Sequence, residues 1–112
     1  MSNNTLYLNE MKNINANELT EFIANNTNTK IIDVRTKEEF QSGKINEAIN
    51  YNFFDTSFPD KIKALDNSKT YIMVCMSGNR SSAAAALMLE NGFSNVFNLT
   101  GRMIDWNGEV VK

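Results

Sequence analysis

Histidine is absent from this chain, and cysteine and proline occur once each. Without histidine there can be no Cys–His dyad, and most transition-metal sites lose their usual nitrogen ligand. Only carboxylates are left for hard cations, so no metal centre is expected. The single cysteine, Cys75, cannot close an internal disulfide and has no CxxC partner, which fits a reducing cytoplasm. An excess of one charge is also missing. Eleven Lys and Arg stand against 13 Asp and Glu, giving a net charge of -2 with both signs mixed along the chain. Nucleic acid and anionic membranes are therefore not expected partners. The longest apolar run, Ala83 to Leu89, is far too short to span a bilayer. The segment Met1 to Leu8 lacks a basic stretch followed by a long apolar core, so no signal peptide is expected. At 112 residues the chain reads as one domain, 1–112, large enough for a real core but not for two.

What is present alternates between strand and helix patterns, with no linker and no internal repeat. Leu6 to Ile14 reads as a weak extended lead-in. Behind Asn15, the residues Ala16, Leu19, Phe22 and Ile23 fall at helical spacing. Lys30 to Val34 is a buried strand, and Thr36 to Glu39 is a capping box opening a short helix that stops at Gly43. Ala48 to Tyr51 is another short strand. Phe58 to Leu65 is helical, with Pro59 tolerated in its first turn. Tyr71 to Val74 is an apolar strand, and an Ala-rich helix follows, with Ser81 or Ser82 as its expected N-cap and Gly92 at its end. Asn95 to Leu99 is the last strand, and a tail helix is expected around Met103 to Trp106. Strands separated by helices imply crossovers and a parallel sheet covered on both faces.

The informative feature is where Cys75 falls. It ends an apolar strand and opens the small polar loop Cys75-Met76-Ser77-Gly78-Asn79-Arg80 that leads into the Ala-rich helix. A thiol facing a helix N-terminus meets unpaired backbone N–H groups and the positive end of a dipole. Both favour thiolate, so the ordinary pKa of about 8.5 should fall. Arg80 adds a permanent cation to the same loop. The competing reading is a buried structural cysteine.

In open α/β sheets the ligand crevice lies at the carboxyl ends of the strands. Three polar turns fall at such ends: Asp33-Val34-Arg35, the Cys75 to Arg80 loop, and Thr100-Gly101-Arg102. The expected site holds one thiolate and up to three arginines, which suits an anionic sulfur or oxyanion substrate. Arg35 also has a framework reading, as an ion-pair partner of Asp33 or Glu39. Trp106, Phe93 and Phe97 read as core. Phe53, Phe54 and Phe58 either seat a crossover helix or, where exposed, form a docking edge near the pocket.

Taken in order, Ile32-Asp33-Val34-Arg35, Glu39-Phe40, Gly43-Lys44-Ile45, Ala48-Ile49-Asn50, Cys75 to Ser81, Gly92-Phe93, and Leu99-Thr100-Gly101 with Trp106 resemble the rhodanese homology domain. The resemblance covers about 15–106, with 1–14 as the lead-in. It implies a three-layer α/β domain with a central, mostly parallel five-stranded sheet flanked by helices. It also implies a sulfurtransferase with no cofactor, in which Cys75 carries a sulfane sulfur as a persulfide. The implied substrate-binding set is Met76, Ser77, Gly78, Asn79, Arg80 and Ser81 of the loop, with Arg35 and Arg102 from the neighbouring turns. The implied partners are a small sulfane-sulfur donor (thiosulfate, polysulfide or persulfide) and a thiol or protein acceptor. The chain itself would be a cytoplasmic monomer or weak homodimer.

The chain departs from the family pattern in places. Lys44 stands where members usually have histidine, and Gly101-Arg102 where they have a glycine pair. Met76 is neutral at a position often basic in thiosulfate-using members. Two competing readings remain open. One is a binding module or a carrier that hands sulfur on without turnover. The other is a Cys-based phosphatase or arsenate reductase. Four residues between Cys75 and Arg80, one fewer than a phosphatase loop, argue against the second.

Overall fold

The computed structural model describes residues 12–75 and 79–100, together with the backbone of 110–111. Its elements are β1 (Lys12–Ile14), α1 (Ala16–Asn25), β2 (Thr29–Asp33), α2 (Lys37–Ser42), β3 (Lys44–Ile45), β4 (Ile49–Asn50), α3 (Phe58–Lys63), β5 (Thr70–Val74), α4 (Asn79–Glu90), β6 (Val96–Leu99) and β7 (Val110–Val111). Five strands form one sheet in the order β1-β6-β5-β2-β4, and every neighbouring pair is parallel. The chain leaves β2 for β4 on one side and β5 for β6 on the other. The connections thus diverge between β2 and β5, which pair with Asp33 opposite Val74. A ligand crevice belongs at such a switch point, beyond the carboxyl ends of those two strands.

The alternation of side chains along β5 divides the core. Ile72 and Val74 pack with Ile14, Leu19, Ile31 and Leu99 beneath α1, while Tyr71, Met73 and Cys75 pack with Ile32, Val34, Ala84, Ala85 and Met88 beneath α3 and α4. Cys75 therefore faces the same layer as α4.

Local signals set several element ends. Asn15 caps α1, and Glu18 completes a capping box with it. Thr36 and Glu39 do the same for α2. At the end of α4, Gly92 takes φ +88, its N–H donates to the Leu89 carbonyl, and the Phe93 N–H donates to the Met88 carbonyl. This double bond pattern is a Schellman stop, and only glycine takes that φ without cost.

Some expectations need correction. The α4 helix starts at Asn79, so neither Ser81 nor Ser82 is its N-cap; both lie within its first turns. Of the Leu6 to Ile14 lead-in, Lys12 to Ile14 is a strand of the main sheet, paired with β6. The strand expected over Ala48 to Tyr51 narrows to Ile49–Asn50. A small antiparallel pair, β3 with β7, was not expected. The rest of the lead-in and the tail helix around Met103 to Trp106 lie outside the described residues. No helix among the described residues is long and apolar enough to cross a membrane.

Candidate active site

Cys75 follows β5 directly and is 1% exposed. The Ser81 backbone N–H, in the first turn of α4, donates to its Sγ at 3.3 Å, and the thiol donates to the Ser81 hydroxyl at 3.3 Å. An amide that would be an orphan donor at a helix start thus points at sulfur. The strand sets the height of the thiol and the helix start supplies the donor. Behind Ser81, the hydroxyl donates to Oδ1 of Asn98 on β6, and Asn98 Nδ2 donates to Asn13 Oδ1 on β1 at 3.4 Å.

Arg80 sits beside this cradle in a specific pairing. Its two terminal nitrogens donate to the two Glu39 oxygens at 2.9 and 3.1 Å, a bidentate contact that ties α4 to α2. Glu39 simultaneously holds the Thr36 N–H and hydroxyl. The other side of the guanidinium lies over the Phe54 ring, 5.6 Å from its centroid. The hydrogen bond from Arg80 holds the Glu39 carboxyl at about 2, well below its ordinary 4.5. The same contact raises Arg80, and the neighbouring Cys75 and Asp33 add smaller effects in the same direction. The charge of Arg80 is thereby paired with Glu39, and the Ser81 amide is a donor placed on the sulfur itself.

That pairing sets a pH dependence. Glu39 titrates lower folded than unfolded, so the pair's stabilisation is complete above about pH 4.5 and is lost as the pH falls toward about 2. Glu39→Gln is expected to flatten the stability slope in that window, with a loss of about 1 kcal/mol at neutral pH for a partly exposed pair. Urea midpoints across the acid range check both points, and an unchanged slope would show that the pair is energetically idle.

Arg35, expected either at the substrate or in an ion pair, is in an ion pair. It is 2% exposed, with Nη2 2.7 Å from Asp33 Oδ2 and 2.8 Å from the Gly43 carbonyl. Its guanidinium is held by the Asp33 carboxylate and the Gly43 carbonyl. Asn50 clamps the same turn by donating to the Asp33 and Arg35 carbonyls. Asn79 opens α4 on an exposed surface. Met76, Ser77, Gly78 and Arg102 lie outside the described residues. Lys44 lies on β3 with its ammonium 4.8 Å from the Phe40 ring centroid, a framework contact.

Of the three phenylalanines after β4, Phe58 is buried and Phe53 packs edge-on against it at 5.3 Å, while Phe54 is 66% exposed. A groove of about 610 Å³ runs between α3 and α4, lined by Phe53, Phe58, Asn79, Ser82 and Leu87 among others; Cys75 does not line it. Sequence reasoning missed Asn98 altogether, and it missed Glu39 as the partner of Arg80. No local pattern links residues 41 positions apart.

A match to the Rhodanese-like domain family spans residues 15–109. The chain belongs to that family. It is 37% identical to the proposed sulfurtransferase YtwF of Bacillus subtilis, over 89% of this chain and 94% of that one. It is 34% identical to the thiosulfate sulfurtransferase GlpE of Pseudomonas savastanoi, over 68% of this chain and 70% of that protein. Among solved structures, a rhodanese-related protein from Thermoplasma volcanium superposes with a TM-score of 0.77 at 30% identity, covering 89% of this chain and 97% of its own. The chain is also 37% identical to a tRNA uridine(34) hydroxylase of Cytophaga hutchinsonii, but it spans only 26% of that protein. The fold and the family are those expected from the sequence, and sulfurtransferases are among the relatives.

Proposed function

We propose that the protein transfers a sulfane sulfur through a persulfide on Cys75. The observation that supports this most directly is the Ser81 N–H donating to the Cys75 sulfur from the start of α4. In the first half-reaction the Cys75 thiolate attacks the outer sulfur of the donor. The donor's S–S bond breaks, and its electron pair leaves with the remainder, as sulfite from thiosulfate or as a thiolate from a persulfide. The Cys75 persulfide anion is held by the helix-start amides, an electrostatic cradle of the oxyanion-hole type. In the second half-reaction an acceptor nucleophile takes the terminal sulfur, and the electron pair returns to Cys75. The loop from Met76 to Ser81 forms the substrate contacts in this reading, with Arg102 at the mouth and Arg35 holding the wall behind.

Intact mass tests the reading. Incubation with a sulfane-sulfur donor is expected to add one sulfur, and dithiothreitol is expected to remove it. A chain that never gains that mass from thiosulfate, polysulfide or a small persulfide is not a sulfurtransferase.

Donor choice follows from the first loop position. A doubly charged donor gains from a cation there, and Met76 supplies none. Thiosulfate is therefore the poorer donor, with a high KM, and polysulfides or small persulfides are preferred. Met76→Arg is expected to lower KM for thiosulfate several-fold, since one charge contact at a partly exposed site is worth roughly 1 kcal/mol. Steady-state kinetics check this. A wild-type enzyme already saturated at low thiosulfate, with no response to the substitution, would leave the loop amides as the whole source of anion affinity.

A further inference from the structure

The polar chain behind Cys75 runs through two residues that can each donate and accept. Asn98 is 6% exposed and lies on β6 opposite Met73 of β5 on one side and opposite Asn13 of β1 on the other. The face that carries Met73 also carries Cys75, so the strand alternation sets Asn98 beside Ser81 in an otherwise apolar layer. A buried amide there costs free energy unless it is paired at both ends. It is paired at both ends, by Ser81 and by Asn13.

In the arrangement seen, the Ser81 backbone N–H points at sulfur, while the chain of side-chain donors runs away from it. The Cys75 thiol donates to the Ser81 hydroxyl, the hydroxyl to Asn98 Oδ1, and Asn98 Nδ2 to Asn13 Oδ1. This is the order a thiol requires. A thiolate has no proton to donate and needs donors instead. When the proton leaves to water, the Ser81 hydroxyl can turn to Sγ only if something else serves the position it vacates. An asparagine can do that by rotating its amide so that Nδ2 donates to the Ser81 oxygen. Asn13, on the exposed edge strand, can turn likewise.

We propose that Asn98 is a positioning residue for Cys75, which lets the Ser81 hydroxyl serve thiol and sulfur anion alike by reversing the direction of this hydrogen-bond chain. The inference rests on the reading of Cys75 as the reacting thiolate. Among the described residues, the charged groups beside Cys75 are paired with one another. Arg80 of α4 is paired with Glu39 of α2, Asp33 and Arg35 at the end of β2 are paired with each other, and β6 presents the uncharged Asn98. Reversal needs a side chain with both a donor and an acceptor. Aspartate keeps the shape and the acceptor but, when ionised, holds the Ser81 hydroxyl turned away from sulfur.

The test is the pH profile of Cys75 alkylation by iodoacetamide, which needs no sulfur donor and so is read separately from sulfur transfer. Ser81→Ala is expected to raise the midpoint by about one pH unit, the loss of one hydrogen bond to a charged group, and Ser81→Thr, which keeps the hydroxyl, to restore it. Asn98→Asp is expected to raise the midpoint by at least as much. Placed in the Ser81→Ala background, the same substitution should lose at least half of its shift, because its path to the sulfur is gone. An equal shift in both backgrounds would make Asn98 a nearby charge and nothing more, and an unshifted midpoint would remove it from the site; either result overturns the proposal. Should Asn98→Asp fail to melt cooperatively, Asn13→Asp, on the exposed end of the hydrogen-bond chain, offers only an acceptor to Asn98 Nδ2, holds Asn98 in the orientation seen, and is read by the same cycle and the same criteria. A normal alkylation profile with no mass gain from any donor would instead count against the sulfurtransferase reading and leave this inference standing.

Discussion

Replacing Cys75 with serine is expected to reduce both sulfur loading and sulfur transfer to cyanide to background, while the protein stays folded. The chemistry is lost because a serine hydroxyl in this position is neither ionised nor able to form a persulfide, and no histidine exists anywhere in the chain to activate it. The fold should persist because the change removes no large volume. The site is 1% exposed, and the smaller oxygen can still accept from the Ser81 N–H that now points at sulfur. A cost of about 1 kcal/mol, a few degrees in Tm, is the scale for such a swap. Intact mass, cyanide turnover and thermal melting make the measurement, and Cys75→Ala serves as a second variant if serine melts early. Turnover surviving in a folded Cys75→Ser protein would place the reaction at another residue and end the persulfide reading.

How far the sequence carried this reading differs from element to element. The capping box of Thr36 and Glu39 was legible because its partners are three residues apart, and the code is local. The parallel sheet was legible because its strands are apolar runs separated by helical periodicity. Ser81 misled because serine is a common helix cap, whereas here its hydroxyl faces inward between Cys75 and Asn98. The strands β3 and β7 are two residues each, pair Lys44 with Val111 and Ile45 with Val110, and leave no period to detect. The pairing of Arg80 with Glu39 depends on two helices meeting at the sheet's carboxyl edge, which is a property of topology. The place of Cys75 was legible because it lies in a contiguous segment, between the end of β5 and the start of α4, and the contact of Asn98 with Ser81 was not because it exists only across elements.

The largest stability effect is expected at the turn beside the site. Asp33 and Arg35 are 0% and 2% exposed, and they share three side-chain hydrogen bonds of 2.7 to 3.0 Å. Removing one charge strands the other. Arg35→Met would leave a buried carboxylate facing the residue-35 backbone N–H, which is 3.0 Å away in the native turn. Asp33→Leu would leave a buried guanidinium with the Gly43 carbonyl. Each single change is expected to cost about 3–5 kcal/mol. The double change removes both charges, so its penalty reduces to that of the orphaned Gly43 carbonyl and residue-35 N–H, roughly 1–3 kcal/mol each. The double variant should therefore cost clearly less than the two single changes added together, a strongly non-additive cycle. Urea unfolding of the four proteins measures it, and additive costs would mean that the pair is not the element that closes this turn. The same double variant separates the two readings of Arg35. If Arg35 only holds the wall, kcat/KM for an anionic donor is retained to within a few-fold once the protein is folded. A large rise in KM with kcat unchanged would show instead that the guanidinium reaches the substrate.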